Sequence, residues 1–230
     1  MKLQKETESP EKHGKWYSDA CGTAFAMELV GERWSMLIIR ELMLGGRRFS
    51  DLRGSLPGIS AKVLTERLSG LEHAGVLVRR KLPPPAASQV YELTEWGYLA
   101  EPAIQELGRW AARSPGHDAT LPLSPVSFML SMRTMLDKEA AGRLEFTIGF
   151  ETGGEQFVGR LEGGALPIVR GEPHTADVLF RSGTPMELAA LFYGKMPLDA
   201  WAEGEGRAIE GDPVLAERFV DLFWLPEKVG

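Results

Sequence analysis

Apolar and polar positions alternate along this chain with two different periods, and the change of period marks out its elements. Ala24 to Val30 reads as a short amphipathic helix ended by Gly31. Trp34, Leu37, Ile38 and Leu42 recur at helical spacing until Gly45-Gly46 stops the run. Ser50 is expected to cap a third helix, with Asp51 well placed in its first turn. Leu56-Pro57-Gly58 breaks that helix, and Ser60 caps a fourth one that runs to about Ala74. On the fourth helix Leu64, Leu68 and Leu71 share one face, while Lys62, Thr65, Glu66 and Ser69 share the opposite one. Gly75 ends it.

The period then falls to two. Residues 76–82 and 89–93 are β-like runs joined by a Pro83-Pro84-Pro85-Ala86-Ala87-Ser88 tip. Thr94 is expected to cap a long helix to about Ala112, with Trp96, Leu99, Ala103, Leu107 and Trp110 as its apolar stripe. Pro102 should bend it or lie where a missing donor is tolerated. Helix, tight turn, helix and two-stranded ribbon make the layout of a winged helix-turn-helix, whose second helix enters the major groove of DNA.

Ser114-Pro115-Gly116-His117-Asp118 reads as a boundary. Beyond it, 126–138 is helical. Runs at 144–150, 156–161, 166–169 and 178–180 read as strands, and helices follow at 185–193 and 213–224. The second half is therefore α+β, with mostly meandering strands and helices on one face. The expected division is a flexible arm at 1–17, a winged helix-turn-helix and dimerisation domain at 18–114, and a second domain at 120–230.

Charge sharpens the picture. The chain of 230 residues has a formal charge of −6, which looks wrong for a DNA binder until it is divided. Residues 33–81 hold 10 Lys/Arg against 4 Asp/Glu, whereas residues 117–230 hold 10 against 18. Phosphates demand local positive charge, and it lies where the motif lies. Lys62 and Arg67 are the candidates for phosphate contact, and Thr65, Glu66 and Ser69 for base edges. Ser50 and Ser60, at the two helix starts, are counted among the DNA-binding candidates. Arg47, Arg48, Arg79, Arg80 and Lys81 flank the reading helix as further phosphate candidates.

Several short motifs in order carry a family resemblance over about residues 20–112. They are Cys21, Gly31-Glu32-Arg33-Trp34, Ile39-Arg40-Glu41-Leu42, Arg48-Phe49-Ser50-Asp51-Leu52, Pro57-Gly58-Ile59-Ser60, Lys62-Val63-Leu64-Thr65, Glu72-x-Ala74-Gly75 and Tyr91-Glu92-Leu93-Thr94. This half resembles the HxlR-type winged-helix transcription regulators, relatives of MarR-type proteins. The leading reading is a homodimeric repressor on a palindromic double-stranded operator, and a lone cysteine, Cys21, fits a reducing cytoplasm. Two departures stand out: Ser88 occupies the place of a basic wing residue, and Ala61 the place of a proline. Some proteins of this kind use a cysteine near Cys21 as an oxidation or electrophile switch. Here Gly22 replaces the proline found after it in such proteins, and Cys21 is read first as a small residue packed at a helix start.

Asp177-Val178-Leu179-Phe180, Leu188 to Gly194 and Gly206-Arg207-Ala208-Ile209-Glu210-Gly211-Asp212 are similar to sterol-carrier-protein-like domains. That resemblance implies an apolar tunnel between sheet and helices for a lipid-like or aromatic effector. Its candidate lining is Phe128, Met132, Met135, Phe146, Phe157, Phe192, Trp201, Phe219 and Phe223, the alternative being ordinary core. A lipid or sterol carrier is the rival reading, with the charge over 33–81 against it. The four histidines match no metal-ligand spacing, and no catalytic constellation or phosphate-cradling loop appears, so neither enzyme nor cofactor is implied. The apolar runs are too short to span a bilayer, so no membrane partner is expected.

Overall fold

The computed structural model describes residues 17–82 and 88–230. The arm before Tyr17 and the proline-rich tip at 83–87 lie outside the described residues.

The first half is helical with a short ribbon. Helices α1 (Gly22–Val30), α2 (Ser35–Leu42), α3 (Phe49–Ser55) and α4 (Ala61–His73) precede strands β1 (Leu77–Lys81) and β2 (Gln89–Leu93). The strands pair antiparallel, Leu77 opposite Leu93 and Lys81 opposite Gln89. Arg47 forms an isolated bridge to Tyr91, adding a third short segment to the ribbon. Leu64, Leu68 and Leu71 are buried, as the spacing predicts. The Ser60 hydroxyl accepts from the Val63 amide at 3.2 Å, satisfying one of the donors a helix start leaves open.

Three local expectations are corrected. Trp34 precedes α2 rather than opening it, with φ 83, and Leu37 is exposed while Ile38, Ile39 and Leu42 are buried. Ser50 lies inside α3; Arg48 caps it, donating its backbone N–H to Asp51 at 3.3 Å. The long helix from Thr94 is two helices, α5 (Glu95–Tyr98) and α6 (Glu101–Ala112). A proline in the first turn of α6 lacks only a donor that position does not use. Gly97 is required, because a Cβ there would stand 2.1 Å from the Val76 carbonyl oxygen.

The second half contains α7 (Pro125–Met135), α8 (Lys138–Ala141), β3 (Phe146–Thr152), β4 (Glu155–Leu161), β5 (Ile168–Arg170) and β6 (Val178–Ser182). After these come α9 (Pro185–Phe192), α10 (Leu198–Ala202), β7 (Ala208–Gly211) and α11 (Pro213–Val220). The strand order is β5-β4-β3-β6-β7. The meander holds for β3, β4 and β5, but β6 returns parallel to β3 and β7 closes the other edge antiparallel. Inward positions such as Ile148, Phe150, Phe157 and Phe180 are buried, whereas Thr147, Gln156, Arg160 and Arg181 alternate outward. The outward face is laced by charge: Arg181 bonds Glu151 at 2.6 Å and Arg160 bonds Glu162 at 2.7 Å.

A cluster of rings fills the space between sheet and helices. Phe150, Phe180, Phe192, Phe219 and Phe223 lie 5.0–6.3 Å apart between ring centres. Trp201 is fully buried and its indole N–H donates to the Glu187 carbonyl at 2.7 Å. Burial of each such side chain contributes about 1.5–3 kcal/mol, so this cluster anchors the half of the chain that holds it.

The halves meet through polar contacts. Ser124 donates to Glu41 at 2.7 Å, Arg133 donates to Glu101 at 2.6 Å, and Arg109 reaches the Thr134 carbonyl. Near the end of the chain, the Val229 amide donates to the Arg113 carbonyl at 2.8 Å. Among the described residues no helix is long and apolar enough to cross a membrane.

Candidate nucleic-acid interface

The apolar side of α4 is consumed by packing against β1, α2 and α1, which leaves the opposite side to solvent. Lys62, Thr65, Glu66 and Ser69 are all exposed. The Lys62 ammonium is 3.9 Å from Glu66, with its side chain 85% exposed, and an ion pair so open to water contributes little. Thr65 donates its hydroxyl to the Ala61 carbonyl at 2.9 Å and remains exposed. This surface is polar, weakly committed and one helix wide.

The flanking cations divide into free and engaged. Arg67 turns back: it bonds Glu32 at 2.8 Å and the Arg33 carbonyl at 3.1 Å, and its side chain is three-quarters covered. Arg79 bonds Glu72 at 2.7 Å, and that bond raises its pKa above the ordinary arginine value. Arg80 pairs with Glu92 at 2.8 Å. Lys81 and Ser50 are exposed.

Arg47 departs most from expectation. It is buried, bonding Glu155 of β4 at 3.0 Å and Ser55 at 3.3 Å, and is not presented outward. Its buried guanidinium serves the junction between the halves. Arg48, by contrast, is exposed and donates to the Ser88 hydroxyl at 3.1 Å. The positive charge missing from Ser88 in the wing is thus delivered to the same place by the segment before α3. Sequence order concealed this pairing across 40 residues. Arg53, exposed on α3, is a further cation of this region that spacing alone did not single out.

Two other sets of candidates land elsewhere than expected. Phe128, Met132, Phe146, Phe157, Phe192, Trp201, Phe219 and Phe223 are all buried, and the aromatic ones pack in the core. Of the nine, Met135 alone borders the large cavity of about 860 Å³, which opens outside that core along α6, α7 and α9. Cys21, expected to be packed, is exposed before α1. Hydrogen bonds from the Thr23 and Ala24 amides lower its thiol pKa below the ordinary value.

The exposed polar helix, held by a buried leucine stripe and followed by a charged two-stranded ribbon, defines a winged-helix DNA-binding protein. Residues 29–118 match the HxlR-like helix-turn-helix family model. The chain is 37% identical over 86 residues to YvaP of Bacillus subtilis, an uncharacterised HTH-type transcriptional regulator, covering 37% of this chain and 80% of that one. It is 41% identical over 86 residues to the HTH-type transcriptional regulator YodB of the same organism, covering 37% and 77% of the two chains. The reduced form of YodB has a solved structure similar at 36% identity and TM-score 0.39, covering 44% of this chain and all of that one. The chain belongs to the HxlR-like helix-turn-helix family. It is a transcriptional regulator, and its named relatives are regulators rather than enzymes.

Proposed function

We propose that this protein is a homodimeric DNA-binding repressor whose α4 enters the major groove, with Thr65, Glu66 and Ser69 toward base edges. Lys62, Arg48 and Lys81 hold phosphates. The observation that carries this reading is the uncovered polar face of α4, set on a stripe of fully buried leucines. Gel shifts with the DNA upstream of its own gene test it. A sequence-specific complex at moderate salt is expected, and only non-specific binding would overturn the reading.

The dimer reading is supported by an apolar surface on α1, α5 and α6. Phe25, Trp96, Leu99, Leu107 and Trp110 are exposed there, Trp110 by 73%. Apolar surface gathered on one side of a chain marks an interaction site. Pairing two copies through it sets two α4 helices about 34 Å apart, one turn of DNA. Replacing Leu107 and Trp110 with Asp should give a monomer by sedimentation and a lost operator shift.

The second half we read as a sterol-carrier-like domain that binds an apolar effector and biases the spacing of the two α4 helices. An effector that favours one arrangement by ~1–3 kcal/mol changes operator affinity roughly 5–150-fold. The arrangement of a five-stranded sheet under a layer of helices supports this reading.

A second reading, thiol control through Cys21, is favoured by its exposure and lowered thiol pKa. In that case Cys21→Ser abolishes the response of operator binding to oxidants or electrophiles. An unchanged response removes the idea.

A further inference from the structure

The cavity of about 860 Å³ lies on the seam between the halves, against α6, the connector at 116–123, α7 and α9. It is not the space between sheet and helices, which rings occupy. Its size is that of a site for a small organic molecule. The walls are mostly apolar and built from small or flexible side chains, Gly108 on α6, Leu130 and Met135 on α7, Ala190 on α9.

Gly108 stands in the middle of α6, where glycine weakens a helix. A Cβ built on it meets nothing within 4 Å. No neighbour requires its smallness, and Gly108, itself exposed, is one of the residues that line the cavity.

Two polar groupings on the cavity wall bear on what it could hold. Ser131 and the half-buried Tyr193 share a hydrogen bond of 2.7 Å, and loss of solvent around the hydroxyl raises the tyrosine pKa, keeping it neutral. Arg40 supplies the wall's guanidinium. Its Nε and Nη2 bond one oxygen of Glu41, at 3.1 and 2.8 Å, and Nη1 makes no hydrogen bond among the described residues. Glu41 is fully buried and its second oxygen is unpartnered. Around that corner Arg40, Arg47 and Arg170 meet the carboxylates of Glu41 and Glu155, and the charge of the exposed Asp51 also acts on Arg170. Asp118 also borders the cavity; it is exposed, and one oxygen of its carboxylate accepts from the Thr120 amide and hydroxyl.

We propose that this seam is a ligand site for an apolar molecule bearing one carboxylate. The head pairs with Nη1 of Arg40, and the body lies along Gly108 between α6 and the α7–α9 wall. The inference rests on the reading of the protein as effector-controlled, and it moves the effector from the core of the second half to the junction. The consequence is direct, because α6 also carries Leu107 and Trp110 of the proposed pairing face. A molecule wedged beside α6 favours whichever dimer arrangement leaves the seam open, and it shifts operator affinity by its preference for that arrangement.

The test is calorimetric titration of the full-length protein with dodecanoate and with dodecanol, beside gel shifts with and without dodecanoate. One dodecanoate per chain is expected, bound at least about tenfold more tightly than the alcohol, as a charged hydrogen bond implies. Gly108→Trp fills the cavity and should weaken dodecanoate at least about tenfold. Ala190→Leu, from the exposed side of α9, repeats the test should the tryptophan variant not fold. No binding to the wild type, equal binding of acid and alcohol, or binding that survives both variants overturns the proposal. In the last case the ligand sits elsewhere in the protein. A gel shift unmoved by bound dodecanoate overturns the coupling alone, while absence of any specific shift overturns the repressor reading and leaves the site standing.

Discussion

Arg47 donates to both carboxylate oxygens of Glu155, at 3.0 and 3.3 Å, across 108 residues of sequence. The pair ties the entrance of α3 to β4, and Arg170 joins the same carboxylate from β5. Burial, and then the neighbouring Arg47 charge, pull the Arg170 pKa down to about 10. One carboxylate therefore holds two guanidiniums at the junction of the halves. Glu155→Gln would take from both the carboxylate they bond, and removal of one member of a buried pair costs about 3 kcal/mol or more. A lower urea midpoint is expected; an unchanged midpoint would mean the clasp is not part of the fold's stability.

Salt dependence separates the outward cations from the inward one. Lys62→Ala and Lys81→Ala should each lower DNA affinity and reduce the slope of log affinity against log salt by about one. Arg47→Ala should instead lower the melting temperature. If all three variants change the slope alike, the inward placement of Arg47 is wrong.

The leucine stripe beneath the reading face can be probed directly. Leu68 is 1% exposed, and Leu68→Ala should cost about 2–5 kcal/mol through lost burial and the cavity left behind. Circular dichroism on urea titration measures this. A loss under about 1 kcal/mol would place Leu68 at the surface.

Gly108→Ala should act in the opposite direction. The added methyl group meets nothing within 4 Å, so the helix gains roughly 0.5–1 kcal/mol. A rise in thermal midpoint is the expected outcome, and a fall would mean that the space beside α6 is not open.

The Cys21 thiol should titrate early. Amide hydrogen bonds from Thr23 and Ala24, the largest causes, favour its ionised form. A folded pKa below the unfolded one adds stability above the unfolded value, and that stability is lost as pH falls through the lowered one. Alkylation by iodoacetamide should reach half its maximal rate at a lower pH in native than in denatured protein. Equal midpoints would remove the basis for thiol control.

Much of the first half was legible because its rules are local. Leu64, Leu68 and Leu71 recur at the helical repeat, Ser60 can cap only a helix that starts at the next residue, and the 89–93 run is a short β-like segment after the tip. Where a second segment intervenes, spacing misleads. Leu99, Leu107 and Trp110 have the periodicity of a packed stripe, yet within one chain they face solvent. Periodicity identifies an apolar face but not the surface that covers it.

The order of hydrophobic and polar residues by itself determined the helix-turn-helix and ribbon, the α+β character of the second half and the outward face of α4. Each arises from interactions between residues a few positions apart. Tertiary structure alone decided that Arg47 belongs to Glu155, that Arg48 serves Ser88, and that the aromatic side chains fill the core while the open volume lies along α6. Charges and voids depend on which distant segments share a site, and no local period records that.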